Sequence, residues 1–345
     1  MTPRLRLASL TLAFALVPAL AACKTSPKGD RAAGSGSDRS AAQGPADAPD
    51  PGADAGSITR SLGREREERW FRIDALLMDW DATQQDGKDQ EAAVLAAKIQ
   101  QDVDADFDGL ADAAAGKYGV KGEHLGIKAL AFSKRPQATE ILVNALRSRD
   151  QALVGNALIG LKLRADPSTS LPPIVALLRA PFTEARRYAP LALANIVLAR
   201  ERAGRPIEEQ TAEQAMTGLV GLVQDRDPFA RLHAAKCMGA LRRPEATDFL
   251  VLLLRDEHVR IRLAAAAALE RIGDPRAFAQ VVRLLDAVPE DQKPVVRDVL
   301  ASYAEHLQGR PLAPGQAAAF GVSPTAWDRW YVDNVTRAAP SPGPR

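Results

Sequence analysis

From about residue 57 onward, apolar positions recur three and four apart, the spacing of one face of an α-helix. Trp70, Ile73, Leu77 and Trp80 line one such stripe. Leu95, Ile99, Val103, Phe107 and Leu110 line a second, beyond the turn Gln85-Asp86-Gly87-Lys88. Further on, the pattern is copied. At an offset of 31 residues, segment 225–254 matches segment 256–285: Asp225 with Asp256, Arg231 with Arg262, Ala234-Ala235 with Ala265-Ala266, Met238 with Leu269, and Pro244 with Pro275. Each copy predicts an Ala- and Leu-rich helix, a turn that holds Pro, and a second helix ending in Leu. The turns are Arg243-Pro244-Glu245 and Gly273-Asp274-Pro275. Pro at the start of a helix is well placed, because its missing N–H has no partner to lose there.

Looser copies flank this pair. Segments 186–196 and 211–224 form one around a polar insertion at 201–210, and 151–161 with 172–178 form another around Asp166-Pro167. Segments 122–132 and 136–146 come before these, and 296–307 supplies a last first helix. The count is five helical hairpins and a half between residues 119 and 309. These residues resemble HEAT repeats of the short kind also found in phycobilisome lyases. The marks are the acid before the first helix, Arg231 and Arg262, the Ala pairs, and Gly273-Asp274-Pro275. The resemblance implies an all-α fold, an armadillo-type α-solenoid of stacked antiparallel hairpins. It also implies that the second helices line a concave face suited to an extended protein partner. The physics agrees, since one hairpin cannot bury its apolar face alone and stacked neighbours can. In such a fold Asp225 and Asp256 cap a helix or pair with a nearby Arg.

The ends of an array differ from its middle. Residues 57–116 are expected to form an N-terminal helical hairpin cap, 117–309 the array, and 310–337 a C-terminal capping helix started by Ser323-Pro324. Trp327, Trp330 and Tyr331 share one face of that helix. They either cover the last repeat or contact a partner. Residues 338–345 read as a tail.

The first residues carry an address. Arg4 and Arg6 precede an uncharged apolar run at 7–20, too short to span a bilayer but suited to a signal peptide, residues 1–22. Leu20-Ala21-Ala22-Cys23 resembles the lipobox of bacterial lipoproteins, the alternative being an ordinary secretory signal that ends in Cys. The lipobox resemblance implies signal-peptidase recognition of Leu20, Ala21 and Ala22. It further implies acylation of Cys23 and membrane lipid as a partner, in a bacterial envelope. With Lys24 rather than Asp next, a Gram-negative cell would send the protein to its outer membrane. Residues 24–56, rich in Ala, Gly, Ser and Pro, lack a periodic apolar face and read as a tether. As a coil it would span roughly 30 Å.

Composition adds exclusions. Aromatic residues are 5% of the chain and apolar residues 46%. Ala and Leu dominate, which disfavours a β-sandwich or barrel. The net charge of +2 hides an asymmetry of −7 over 57–116 and +8 over 117–345. This could steer an acidic partner toward the array or match cap to array. No basic run interleaved with aromatics suggests nucleic acid.

No catalytic constellation emerges, and no cofactor is implied. His124, His233, His258 and His306 fall in different units, without metal-ligand spacing. Asp104, Asp106, Asp108 and Asp112, with Gly109, resemble the start of a calcium loop. Ala115 stands where a closing carboxylate belongs, and Val103, Phe107 and Leu110 predict a helix that spreads the acids over its surface. Cys237, in an Ala-rich helical stretch, reads as a buried thiol. The expected function is that of a membrane-anchored, non-catalytic interaction scaffold. An envelope spacer without a ligand site, or a lyase-like enzyme on fold analogy alone, are the alternatives.

Overall fold

The computed structural model describes residues 63–337, and among these there are helices and connections but no strand. The lipobox residues Leu20, Ala21, Ala22 and Cys23, the tether and the tail lie outside the described residues. The chain divides between Leu125 and Gly126 into two compact units.

In the first unit, α1 (Arg64–Gln85) packs on α2 (Asp89–Ala105), and α3 (Phe107–Ala114) follows. Trp70, Ile73 and Leu77 of α1 are buried, as are Ala92, Ile99 and Val103 of α2. The stripe through Val103, Phe107 and Leu110 is buried as expected, but not on one helix. The chain turns at Asp106, with φ −133° and ψ 44°, so α3 starts afresh.

The division falls inside α4 (Gly119–Leu130), the first helix of the first hairpin, whose second helix is α5 (Gln137–Ala145). Three further hairpins follow: α6 (Gln151–Arg164) with α7 (Pro172–Leu177), α8 (Thr183–Arg202) with α9 (Glu209–Leu222), and α10 (Pro228–Leu241) with α11 (Thr247–Leu253). The fifth joins α12 (Val259–Ile272) to α13 (Phe278–Ala287), and α14 (Lys293–Gln308) is the final half. This second unit is an α-solenoid. Its first helices form a continuous layer in which α6, α8, α10, α12 and α14 pack in succession. Each second helix packs on the first helix of the next unit: α5 on α6, α7 on α8, α9 on α10, α11 on α12, α13 on α14.

Small residues set the spacing of that layer. Ala234, Ala235, Ala265 and Ala266 are fully buried. At Gly239 of α10, an added Cβ would come within 2.8 Å of the Ala268 backbone of α12. Asp150 and Asp227 cap α6 and α10 by accepting from backbone N–H groups of the first turn. The helices α6, α10 and α12 each end in a left-handed residue: Ala165, Arg242 and Gly273.

The C-terminal segment folds onto the array as α15 (Gln316–Phe320) and α16 (Pro324–Tyr331), with α16 packed on α13.

Candidate functional site

Two sets of arginines tie the repeats together. At the N-terminal ends of the first helices, Arg186 Nε donates to Asp225 at 2.7 Å, and Arg231 Nε donates to Asp256 at 2.7 Å. The same guanidinium groups turn back to carbonyls of the loop before their own helix: Pro181 at 2.9 Å from Arg186, Asp225 at 2.9 Å from Arg231. Arg262 repeats the backward contact, to the Asp256 carbonyl at 2.8 Å, and reaches forward to the Ala287 carbonyl at 3.1 Å. An acid is missing there, because Ala287 stands 31 positions after Asp256. The Arg262 Nε is accordingly buried without a hydrogen-bond partner. Arg187 forms a parallel rung to Asp227 at 2.9 Å.

The second set sits at the opposite ends of the first helices and was not visible in the repeat alignment. Arg164 donates to the carbonyls of Ser133 and Arg135, Arg200 to Thr169, and Arg271 to Gly239. Tyr303 donates to the Asp274 carbonyl. Several of these carbonyls end a helix or open the turn after it. Such groups lack intrahelical partners and carry partial negative charge, so cationic donors suit them.

These contacts set the titration of the acids. Burial pushes the Asp256 carboxyl up, but the Arg231 hydrogen bonds and the His258 N–H outweigh it and hold the group below its ordinary value. Asp227 behaves alike, with burial opposed by Arg187 and the N–H groups of Phe229 and Ala230. Arg231 and Arg187 are raised in return, first by their hydrogen bonds to these carboxylates. His233 is buried, with Nδ1 2.6 Å from the Arg187 carbonyl. A carbonyl only accepts, so Nδ1 carries the proton. Burial pushes this imidazole down to about 4.

Among the described residues, one trio of metal-type ligands converges: Asp256, Glu257 and His258. The Arg231 guanidinium lies 3.3 Å from both the Glu257 carboxylate and His258 Nδ1, and it also bonds Asp256. A fixed cation already sits against these groups, and the trio is part of the rung.

The calcium candidates do not converge. Asp106 is buried and accepts from Trp70 Nε1 at 2.8 Å and from Arg66 at 2.9 Å. Asp112 pairs with Lys117 at 2.7 Å, Asp104 accepts from Gln100 at 3.3 Å, and Asp108 is exposed. Asp104, Asp106 and Asp112 thus each bond a different partner. The motif is structural: a Cβ at Gly109 would lie 2.6 Å from an Asp106 oxygen, so Gly109 makes room for the carboxylate.

Of the two readings of the aromatic trio, the packing agrees with a cover over the last repeat. Trp327 and Trp330 are 0% and 4% exposed. Tyr331 stacks on Phe278 at 5.1 Å between centroids and donates to the Pro275 carbonyl at 2.9 Å. The two Trp indoles therefore have no face left for a partner, and the helix caps the array. Cys237 is fully buried, and burial pushes its thiol up, away from thiolate chemistry.

One open groove of the array lies between α11 and α13. Val251, Leu254 and Leu284 give it an apolar lining, Arg255 and Arg283 a cationic one, and Ala287 and Gln280 complete it. No helix among the described residues is long and apolar enough to cross a membrane.

Residues 215–304 match the family model of HEAT repeats. No curated protein matches the chain. Among solved structures, an engineered protein is similar at 20% identity, covering 58% of this chain and 95% of that one, with a TM-score of 0.44. A second engineered protein covers 77% and 76% at 19% identity, with a TM-score of 0.47. A designed armadillo repeat protein in complex with the peptide (KR)4 covers 74% and 98% at 16% identity, with a TM-score of 0.33. Residues 215–304, which hold the Arg231–Asp256 rung, are thus similar to HEAT repeats.

Proposed function

We propose that this protein is a lipid-anchored envelope lipoprotein whose solenoid serves as a non-catalytic scaffold for a protein partner. The observation that carries the scaffold reading is where the array places its buried polar groups. Arg186, Arg187, Arg231, Asp225, Asp227 and Asp256 bond one another across repeats. Catalytic groups converge on a pocket where a substrate can sit; these converge on repeat junctions. The face left to a partner is that of the second helices, where the groove between α11 and α13 offers an apolar lining between Arg255 and Arg283.

The anchor rests on Leu20-Ala21-Ala22-Cys23 and the preceding apolar run. Two or three acyl chains supply the multiple signals that stable membrane attachment requires. The tether would let the array stand off the bilayer, at the outer membrane of a Gram-negative cell.

Two experiments separate the parts. Cys23→Ala, or globomycin treatment, should move the protein out of the membrane fraction, and unchanged fractionation rejects the anchor. Gentle crosslinking in the envelope followed by affinity purification should recover one defined partner. Leu252→Asp, on the exposed face of α11, should reduce it. Recovery of the protein alone rejects the scaffold.

A further inference from the structure

Among the described residues, nothing covers an apolar stripe on helix α1. Phe71 and Met78 are each 69% exposed. Ala75 and Ala82 are exposed too, and at 3.6 residues per turn these four side chains fall within about 60° of arc. The stripe is about 16 Å long at 1.5 Å per residue. A single exposed large apolar side chain is ordinary, but an aligned row of them marks a contact surface.

The borders of the stripe are acidic on both sides. Glu68 and Asp79 flank one edge, and Glu67, Asp74 and Asp81 flank the other. Four of these five are exposed and Glu67 is half-buried. The nearby bases are engaged: Arg72 pairs with Asp102 at 2.6 Å, and Arg64, at the N-terminal end of the stripe, pairs with Glu68 at 3.9 Å. The opposite face of α1 is committed to the core through Trp70, Ile73 and Leu77.

We propose that this stripe is the docking surface for a basic amphipathic helix of a partner protein. Such a helix would lay an aliphatic ridge along Phe71, Ala75, Met78 and Ala82, with Lys or Arg on each side facing the acids. Apolar anchors at helical spacing would supply affinity, and the charged borders register and on-rate. A second copy of this chain fits poorly, because pairing the stripe with itself sets acid against acid. An anionic membrane surface is disfavoured by the same borders.

The test uses the full chain and two fluorescent amphipathic peptides of about 18 residues, one of Lys and Leu and one of Glu and Leu at identical spacing. The Lys/Leu peptide should bind, and rising salt should weaken it, while the Glu/Leu peptide should not bind. Phe71→Ser with Met78→Ser should weaken binding at least tenfold, and Asp74→Lys with Asp79→Lys at least fivefold. All four positions are exposed, so circular dichroism should be unchanged. Equal binding of the two peptides, no binding of either, or indifference to both variant pairs overturns the proposal. So does a dimer of the wild-type chain in light scattering that Phe71→Ser with Met78→Ser separates, since the stripe would then be self-occupied.

Discussion

Arg231 on α10 and Asp256 in the loop after α11 meet at 2.7 Å with side chains only 11% and 7% exposed, so the rung is nearly dry. Breaking such a pair leaves one uncompensated charge, and that residue, more than the lost attraction, sets the penalty. Asp256→Ala should therefore cost about 2–4 kcal/mol, because Arg231 then faces the exposed Glu257, His258 and the Asp225 carbonyl without its buried carboxylate. Asp225→Ala should cost less, about 1–2 kcal/mol, since the Arg186 guanidinium that it leaves is twice as exposed. Urea unfolding of the two variants against wild type checks the order. Equal losses would show that burial of the rung does not set its strength.

The same rungs give the protein an acid limit. Asp227 and Asp256 are held below the ordinary carboxylate value in the folded chain. A depressed acid stabilises fully above its unfolded pKa and loses that contribution as pH falls through and below about 4. His233 acts in a higher window. Its folded value is about 4, so between about 6.5 and 4 the unfolded chain takes up a proton that the folded chain refuses. Stability should fall as pH drops across that interval, by about 3 kcal/mol in total. His233→Gln should flatten the slope between pH 6.5 and 4 and leave the steeper loss below 4 in place. Thermal unfolding from pH 7 to 3 reads both limbs, and an unchanged slope in the variant would assign it elsewhere.

The helix ends show what the sequence could and could not tell. Gly273-Asp274-Pro275 reads as a stop and a restart, and Gly273 does adopt the left-handed conformation, with φ 75°. Ala165 and Arg242 occupy the same conformation, at φ 42° and 53°, although neither residue type signals it. The 31-residue period singled out Asp225, Asp256, Arg231 and Arg262 but left open whether the acids cap a helix or meet an Arg; Asp225 meets Arg186 and Asp256 meets Arg231. It missed Arg164, Arg200 and Arg271, which bond backbone carbonyls and so have no partner residue type to align. It also gave no warning of the break at Asp106, where Trp70 and Arg66, some 40 positions earlier in the chain, hold the carboxylate. Replacing Ala165 by Gly should stabilise by about 0.5–1 kcal/mol, because Gly bears φ > 0 without a Cβ penalty. Gly273→Ala should destabilise by more than 1 kcal/mol, as the new Cβ would also fall 2.6 Å from the His306 ring.

Close approach in the first-helix layer offers a steric test. Gly239 faces Ala268 so tightly that a methyl group would overlap backbone atoms of α12. Relief requires α10 and α12 to separate, and overpacking of this kind costs about 1–3 kcal/mol. Gly239→Ala should lower the unfolding midpoint although Ala is the better helix former. Gly221→Ala, with nothing within 4 Å of its new Cβ, should raise it slightly through helix propensity. The pair separates packing from propensity at two helical glycines of one array.

The aromatic cap decides whether the array ends where its sequence stops repeating. Phe278 of α13 is fully buried with Tyr303, Trp330 and Tyr331 around it, at centroid distances of 5.1–5.4 Å. Without α16 the outer faces of α13 and α14 would be exposed, and the last unit would carry the loss because each repeat is stabilised mainly by its neighbours. Trp330→Ala should cost about 3–5 kcal/mol. In hydrogen exchange, protection should drop first across 259–308 while residues 151–202 keep theirs. Tyr331→Phe removes only the bond to the Pro275 carbonyl and keeps the stacking, so its cost should stay near 1 kcal/mol. Uniform loss of protection along the array in Trp330→Ala would mean that the solenoid unfolds as one cooperative block, with the cap as a global rather than local support.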